Sequence, residues 1–266
     1  SKNYSNYLPS LNLAVDLSED MIFRFAAGSA ISRPDYDDMK VADIISQSFQ
    51  TANVGSPELD PYKSDQYDMG VEWYFSPSSI IGATFFIKNI SDYIEQTTVK
   101  ENYPGCGPEC LVTRSRNVGT ADVRGIELQY QQDFDNGFGI QANYTYTDSS
   151  RTNSAGEEVP IEEVSQNSFN LSGYYENDMF SARLAYNYRD DWVRQYNGSS
   201  LDSMNDPYDQ LDASIVWHAT DYLDITLEAA NLLNEALVLR QPKAGNIVHS
   251  VDEFGTRYFV GASIRF

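Results

Sequence analysis

The sequence predicts an all-β chain, namely an antiparallel up-and-down transmembrane β-barrel of about 11 strands. Three observations predict this fold class. Apolar and polar residues alternate with a period of two, the connections between alternating segments are short and long in turn, and aromatic residues are abundant in a polar composition. The stretch from Val260 to Phe266 shows the alternation clearly, because every second position is apolar and the positions between are glycine or polar.

The composition favours a barrel over a helical membrane protein. The 266 residues include 19 Tyr, 13 Phe and 3 Trp, yet the mean hydropathy is −0.45. Such a mixture is expected where every second residue faces a water-filled lumen. No run approaches the roughly 18 apolar residues of a membrane-spanning helix. The sequence therefore excludes a helical membrane protein.

Eleven segments carry the strand pattern. They cover residues 7–16, 21–33, 61–75, 79–96, 113–134, 138–148, 163–175, 179–192, 208–218, 222–232 and 255–266. Residues on the predicted apolar faces include, in chain order, Leu13, Phe25, Val71, Phe85, Leu128, Ile140, Leu184 and Tyr258. The sixth segment alternates most regularly, and Asn136-Gly137 just before it is a strong hairpin signal. In the fifth segment the phase is disturbed between Asp122 and Arg124, which predicts a β-bulge there.

The lengths of the connections distinguish a barrel from a sandwich. They read short and long alternately along the whole chain, which puts tight turns on one rim of a barrel and long loops on the other. Each alternating segment has about 10 residues, the length that crosses a bilayer at a tilt. Lipid cannot satisfy backbone N–H and C=O groups, so such a sheet must close.

An odd number of strands affects how the barrel closes. With antiparallel neighbours, strands 1 and 11 of an 11-stranded sheet run the same way and cannot pair with each other in an antiparallel manner. We therefore expect residues 1–266 to be the C-terminal half of a larger, even-stranded barrel. The chain opens in polar sequence at Ser1 without a visible signal peptide, which leads us to expect a preceding N-terminal part.

Charge and cysteine content limit the function classes. The net charge of −21 argues against nucleic acid as a partner, because phosphate binding needs clustered Lys and Arg. The acidic residues indicate either solvated loops or an acidic vestibule for neutral or cationic solutes. Cys106 and Cys110 have no nearby His or further Cys, so a loop-pinning disulfide in an oxidising compartment is favoured over a zinc site.

No catalytic or metal-binding motif stands out. His218 and His249 lack the spacing of a metal motif, and His218 is interpreted as an interface residue near a turn. The Asp-rich stretches 35–38 and 202–206 lack a calcium-loop spacing and are interpreted as solvated loops. We expect no enzymatic activity, no cofactor and no metal.

Aromatic and arginine residues near the long loops are candidates for ligand contact. Aromatic rings stack on the C–H faces of sugars, and arginine donates to hydroxyl or anionic groups. The candidate residues are Tyr36, Tyr103, Trp192, Arg194, Tyr196 and Arg240. The alternative is that aromatic residues near strand ends form the interfacial girdle of a barrel, as we expect for Tyr144, Tyr146, Tyr186 and Tyr188.

Several stretches resemble a known family in the order in which that family carries them. They are Leu8 to Leu13, Arg24 to Ala27, Ser32 to Pro34, Gly55 to Leu59, Pro61 to Tyr67, Arg124 to Glu127, Asn231 to Asn234, and Tyr258 to Phe266. Together they resemble the C-terminal barrel region of TonB-dependent outer-membrane receptors. The resemblance implies a 22-stranded barrel, of which this chain supplies 11 strands while the plug and first half lie elsewhere.

The resemblance also implies partners and a function. The partners would be outer-membrane lipid, TonB through the N-terminal region, and a small-molecule or oligosaccharide ligand that the loops bind and the proton-motive force imports. The sequence looks most like the carbohydrate-importing branch. The terminal Phe266 is similar to the aromatic residue that serves as a membrane assembly signal in outer-membrane barrels.

Two alternative interpretations remain open. One is a complete small barrel, either a porin or a barrel hydrolase, although the odd strand count and the lack of a catalytic set argue against it. The other is a soluble glycan-binding β-sandwich. The sandwich would place residues such as Phe85, Ile140 and Leu184 in a dry protein interior, whereas a barrel exposes them to lipid.

Overall fold

The structure, a computed structural model, describes residues 5–40, 43–153, 155–196 and 202–265. These residues form β-strands joined by turns and loops, with one short 3-10 helix, Pro242–Ala244. The strands are β1 (Ser10–Asp16), β2 (Met21–Ser32), β3 (Ile44–Ser46), β4 (Thr51–Val54), β5 (Tyr62–Ser76), β6 (Ser79–Ser91), β7 (Ile94–Tyr103), β8 (Gly107–Asn117), β9 (Thr120–Asp133), β10 (Phe138–Thr152), β11 (Glu158–Val159), β12 (Asn167–Glu176), β13 (Phe180–Arg189), β14 (Trp192–Gln195), β15 (Ser203–Asn205), β16 (Tyr208–Thr220), β17 (Leu223–Ala230), β18 (Ala236–Gln241), β19 (Ile247–Glu253) and β20 (Arg257–Ile264). No helix among them is long and apolar enough to cross a membrane.

Eleven long strands form one continuous antiparallel sheet, the wall. Their order is β1-β2-β5-β6-β9-β10-β12-β13-β16-β17-β20, and the short β11 pairs with β10 beside this path. Each of these wall strands corresponds to one of the predicted segments. The predicted fold class, an antiparallel up-and-down arrangement equivalent to half of a larger barrel, is therefore confirmed.

The register places apolar side chains together on one face of the wall, the outer face. Leu128, Tyr144 and Phe169 are direct cross-strand neighbours, and such pairs point to the same side of a sheet. Phe85 is 43% exposed and Leu184 is 50% exposed, and Ile140 is half-buried. None of the three lies in a dry interior, so the arrangement expected of a soluble sandwich is not found. This apolar face is the one that the barrel prediction assigns to lipid.

The opposite face, the inner wall, is polar and has close-fitting glycines. Tyr174 is an example, because its ring lies over the backbone of Gly139 on the neighbouring strand and its hydroxyl donates to Asp133. A Cβ at Gly139 would approach the Tyr174 ring to 2.1 Å. Only glycine leaves room for the aromatic ring at this position.

Tight turns join wall strands at one end, the turn rim, whereas long connections leave from the other end, the loop rim. We predicted these connections as polar loops, and this prediction was wrong in part. They contain two further four-stranded sheets: the first loop sheet, in the order β3-β4-β8-β7, and the second loop sheet, in the order β14-β15-β18-β19.

Several predicted strands therefore end earlier or begin later than expected. The fourth segment stops at Ser91, because Asp92 has a φ of 58° and turns the chain before β7 begins. The fifth begins at Thr120, because Gly119 has a φ of 62° and separates it from β8. The eighth stops at Arg189, and Trp192 begins a strand of the second loop sheet.

The predicted β-bulge in the fifth segment does not occur. β9 pairs with both β6 and β10 without a register shift through Asp122 and Arg124. Both residues keep the outward phase of Ile126, and Arg124 bonds to its cross-strand neighbour Asp148 at 2.7 Å. The alternation changes here because the outward residues become polar beyond the apolar band, and the backbone remains regular.

Each edge strand of the wall has a single neighbour within the described residues. β1 pairs with β2, and β20 pairs with β17. The two edges run in the same direction, as expected for an antiparallel sheet of eleven strands. Phe266, expected to act as an assembly signal, lies outside the described residues.

Candidate ligand-binding site

A buried arginine ties the connections of the loop rim together. Arg151, near the end of β10, has a side chain that is 2% exposed, and it lies 2.8 Å from Glu95 and 2.9 Å from Glu162. The rings of Tyr93 and Tyr196 lie 5.5 Å and 5.9 Å from its guanidinium. Burial raises the pKa of Tyr93, which keeps this phenol neutral beside the ion pairs. Three loops are thereby held against one wall strand.

Trp192 and Arg189 form a second contact at this rim. The Arg189 guanidinium lies 3.7 Å from the Trp192 ring centroid, and the indole is buried at 6% exposure. Arg189 donates to Ser165 Oγ at 2.9 Å and to the Glu163 carbonyl at 3.1 Å. No carboxylate lies within 4.0 Å of this guanidinium in the described ranges. Trp192 is expected to contact a ligand, and in the structure its ring packs against Arg189.

Two other candidate residues of the same segment, Arg194 and Tyr196, each contact a charged side chain. Arg194 pairs with Glu163. The ring of Tyr196 faces Lys243, whose ammonium is 4.7 Å from the ring centroid. Lys243 lies 2.7 Å from Asp202, and the hydrogen bond to this carboxylate raises the pKa of Lys243. Arg240, on β18 of the second loop sheet, bonds to both carboxylate oxygens of Asp206 at 2.7 Å.

The remaining two candidates lie near the first loop sheet. Tyr36 is 89% exposed in the connection after β2. Tyr103 ends β7, donates to Asp43 and has the Arg114 guanidinium 5.7 Å from its ring. The structure thus associates Trp192, Arg194, Tyr196 and Arg240 with the second loop sheet and separates them from Tyr36 and Tyr103. The role of all six in ligand binding stays a prediction.

The expected disulfide is present and forms the centre of the first loop sheet. Cys106 and Cys110 are joined with a Cα–Cα distance of 5.7 Å. Both are buried and pack with Ala52 and Val112. The bridge therefore holds together a small apolar cluster inside the loop, as a loop-pinning role requires.

A row of amides crosses the inner wall, and the sequence analysis missed it. Five directly paired positions on five adjacent strands carry amide side chains: Gln129, Asn143, Asn170, Asn187 and Gln210. The first four side chains are exposed and have no hydrogen-bond partner within the described residues. Amides both donate and accept, so this row, the amide row, suits a hydroxyl-rich surface. The strand alternation in the sequence indicates that each of these amides faces the inner wall. Only the cross-strand register shows that the five amides lie side by side in one row.

A cavity of about 450 Å³ opens where the amide row meets the loop rim. We call it the arginine cavity. Its lining residues include Glu163, Ser165, Ser168, Asn170, Asn187, Arg189 and Tyr208. The Glu163 carboxylate on this lining is already paired with Arg194. The serine, asparagine, arginine and tyrosine side chains of the lining can all donate hydrogen bonds. The cavity can therefore bind a polar ligand of the size that small-molecule sites accommodate.

A second feature that sequence reasoning missed lies at the turn rim. His218 Nδ1 is 2.8 Å from Asp224, and His218 Nε2 is 3.3 Å from Ser181 Oγ. Arg265 extends the series, 2.6 Å from Asp224. The four side chains come from β13, β16, β17 and the residue after β20, so they link successive wall strands. His218 thus joins strands, and in the described residues no group of three or more His, Cys, Asp or Glu could hold a metal.

Comparison with known proteins places the chain among receptor barrels. The family model described as "TonB dependent receptor-like, beta-barrel" matches residues 1–232. No curated protein sequence matches the chain. The ferric enterobactin receptor PfeA of Pseudomonas aeruginosa, a mutant in complex with enterobactin, has a similar structure with a TM-score of 0.75 at 16% identity, over 97% of this chain and 40% of that one.

Two further solved structures have the same fold. The siderophore receptor PirA of Acinetobacter baumannii gives a TM-score of 0.74 at 18% identity, over 100% of this chain and 42% of that one. The copper transporter OprC gives a TM-score of 0.71 at 15% identity, over 97% of this chain and 39% of that one. The chain therefore spans about 40% of the length of these proteins.

Proposed function

The chain belongs to the TonB-dependent receptor β-barrel family, and from this membership we infer that it forms one side of the barrel of an active-transport receptor. This family consists of transport receptors of the bacterial outer membrane and not of enzymes, so the chain is an outer-membrane protein. The observation that carries the proposal is the wall itself. Its outer face is apolar, its inner wall is polar, and its long connections lie on a single rim.

We propose that residues 1–266 are the C-terminal half of a 22-stranded barrel. The two edge strands run in the same direction, so antiparallel closure requires an odd number of additional strands. Eleven further strands satisfy this requirement, and the solved structures are about two and a half times as long as this chain. The N-terminal region of the receptor would supply the plug and the contact with TonB.

The ligand that this site suits best is a hydroxyl-rich small molecule, with an oligosaccharide favoured. The amide row offers donors and acceptors for hydroxyl groups, and aromatic and arginine side chains surround it at the loop rim. A siderophore or metal complex is the second candidate. It is favoured because the solved structures with this fold include a ferric enterobactin receptor, a siderophore receptor and a copper transporter.

Uptake by the complete receptor tests this function. Cells that carry the receptor are offered labelled oligosaccharides, ferric siderophores, haem and copper, with and without TonB. We expect one class of ligand to accumulate and this accumulation to cease without TonB. Accumulation that is independent of TonB, or no accumulation of any ligand, would contradict an active-transport role.

A further inference from the structure

We propose that the arginine cavity is a binding site for an acidic sugar, whose carboxylate is bound by Arg189 and whose hydroxyl groups are bound by the adjoining amides. This inference rests on the proposed transport function and specifies the ligand that the wall recognises. It is carried by the lack of a carboxylate within 4.0 Å of Arg189 in the described residues, by the fixed orientation of its guanidinium, and by the hydroxyl and amide groups on the cavity lining.

Arg189 differs in its partners from most cations at the loop rim. Arg151, Arg194 and Arg240 are each paired with carboxylates. Arg189 instead donates only to a hydroxyl and to a backbone carbonyl, and no carboxylate lies within 4.0 Å of it in the described residues. In a chain with 39 acidic and 18 basic side chains, an arginine with no carboxylate within 4.0 Å in the described residues can bind an anion that the chain itself does not supply.

The orientation of this guanidinium is fixed before a ligand arrives. The Trp192 ring supports one side at 3.7 Å, and the bonds to Ser165 and Glu163 hold Nε and Nη2. No partner of Nη1 is found among the described residues. A guanidinium held in this way loses little conformational entropy on binding, and a carboxylate is the planar anion that suits it.

The rest of the lining selects for hydroxyl groups. Asn170 and Asn187 are direct cross-strand neighbours on the same face, two residues along the strands from the pair Ser168 and Arg189. Both amides lack partners in the part of the chain that the structure describes. A sugar carboxylate at Arg189 would place ring hydroxyls against these amides, whereas a purely aromatic or metal-centred anion would leave them unpaired. Amides that a bound ligand shields from water without pairing with them cost affinity, so the cavity favours an acidic sugar.

The same strand provides a matched control. Arg183 also faces the inner wall, also donates from Nε to a serine, Ser172, at 2.8 Å, and also lacks a carboxylate within 4.0 Å in the described ranges. It lies six positions towards the turn rim, about 20 Å along the strand. Arg183→Gln removes an equivalent charge outside the arginine cavity.

The experiment measures calorimetric binding of acidic oligosaccharides to the complete receptor. The probes are oligogalacturonates, oligoglucuronates and oligoalginates, each compared with its carboxyl-reduced, neutral counterpart and with a ferric catecholate. For at least one acidic probe we expect binding at least about tenfold tighter than for its neutral counterpart, because a charge-assisted hydrogen bond is lost on reduction. Arg189→Gln should abolish this preference, whereas Arg183→Gln should retain it.

The comparison of acidic with neutral probes uses the unaltered receptor, so it tests the proposal even if the Arg189→Gln variant does not fold. Equal binding of acidic and neutral probes, or equal losses in the two variants, overturns the proposal. Binding of the ferric catecholate alone also overturns it, while leaving active transport intact. Failure of TonB-dependent uptake for every ligand would instead contradict the proposed transport function.

Discussion

Arg151 lies 2.8 Å from Glu95 across a sequence separation of 56 residues. The contact joins β10 of the wall to the start of β7 in the first loop sheet. Its guanidinium is almost completely buried, so the pair is shielded from the solvent that weakens surface ion pairs.

Arg151→Met should release the connections at the loop rim. Removing the cation takes away the positive charge that lies between the Glu95 and Glu162 carboxylates, and breaking a buried pair in this way costs about 3–5 kcal/mol. Hydrogen exchange of the loop segments should accelerate while the wall strands stay protected. Arg194→Met is the control, because its pair with Glu163 is exposed and is worth less than about 1 kcal/mol. Equal effects of the two variants would show that Arg151 has no special role.

Cys106→Ser combined with Cys110→Ser should loosen only the first loop sheet. The bridge spans four positions, so it restricts the unfolded chain little and mainly shapes the loop around Val112. Limited proteolysis should cut the variant between residues 94 and 117 and leave the wall intact. Reduction of the unaltered protein should give the same cleavage pattern. Simultaneous cleavage of the wall would contradict a local role.

The ion pair between Glu101 and Arg114 should make the first loop sheet sensitive to acid. The hydrogen bond from Arg114, at 2.5 Å, lowers the pKa of Glu101 below its ordinary value. A lowered folded-state pKa stabilises the sheet fully above the unfolded value of about 4.3, and this contribution disappears as pH falls through the folded value. Loop protection should differ between Glu101→Gln and the unaltered chain at pH 7 and converge as the pH falls through the lowered pKa of Glu101. A difference that grows in acid would refute the assignment.

His218→Ala should weaken the attachment of the last wall strand. His218 holds Asp224, the carboxylate that Arg265 contacts after the end of β20, so the substitution removes the side chain that positions this carboxylate at the turn rim. Hydrogen exchange in β20 should accelerate relative to β10. His249→Ala provides the control, since His249 is exposed in β19. Unchanged exchange in β20 would mean that the backbone ladder alone fixes this strand.

Leu184→Lys should impair assembly of the barrel. Leu184 lies on the outer face between Gly173 and Ala213, and a lysine facing lipid near the bilayer centre costs about 2–4 kcal/mol. Asn143→Lys places the same charge on the inner wall and should be tolerated. The fraction of heat-modifiable, folded receptor in gels measures both. Equal loss for the two variants would contradict the assignment of the faces.

The wall was predictable because its strands all alternate apolar and polar residues with a period of two, whereas the strands of the loop sheets do not. Residues such as Phe85 and Leu184 repeat at every second position, and a one-residue slip would exchange lipid-facing and polar side chains. The alternation became misleading only at Asp122 and Arg124, where outward residues turn polar without a change in the backbone.

The loop sheets and the side-chain contacts at the loop rim depend on pairing between segments that are distant in the sequence. β3 and β4 have three and four residues and depend on pairing with a distant strand. The partners of Arg189 and the alignment of the amide row come from cross-strand register. Trp192 was selected as a ligand contact because it lies at a strand end beneath a long loop, and its burial against Arg189 became visible only in the structure.

The parallel pairing of β4 with β8 makes the first loop sheet depend on the wall strands that lie between them in the sequence. Thr51 to Val54 must align with Leu111 to Arg114, and the hairpin of β5 and β6 occupies the sequence between them. Bringing such distant segments together is slow unless the intervening chain is already folded. Once the hairpin of β5 and β6 has formed, both segments leave the wall at the same rim, and pairing them closes a much shorter effective loop. We expect the first loop sheet to form only after the part of the wall beneath it.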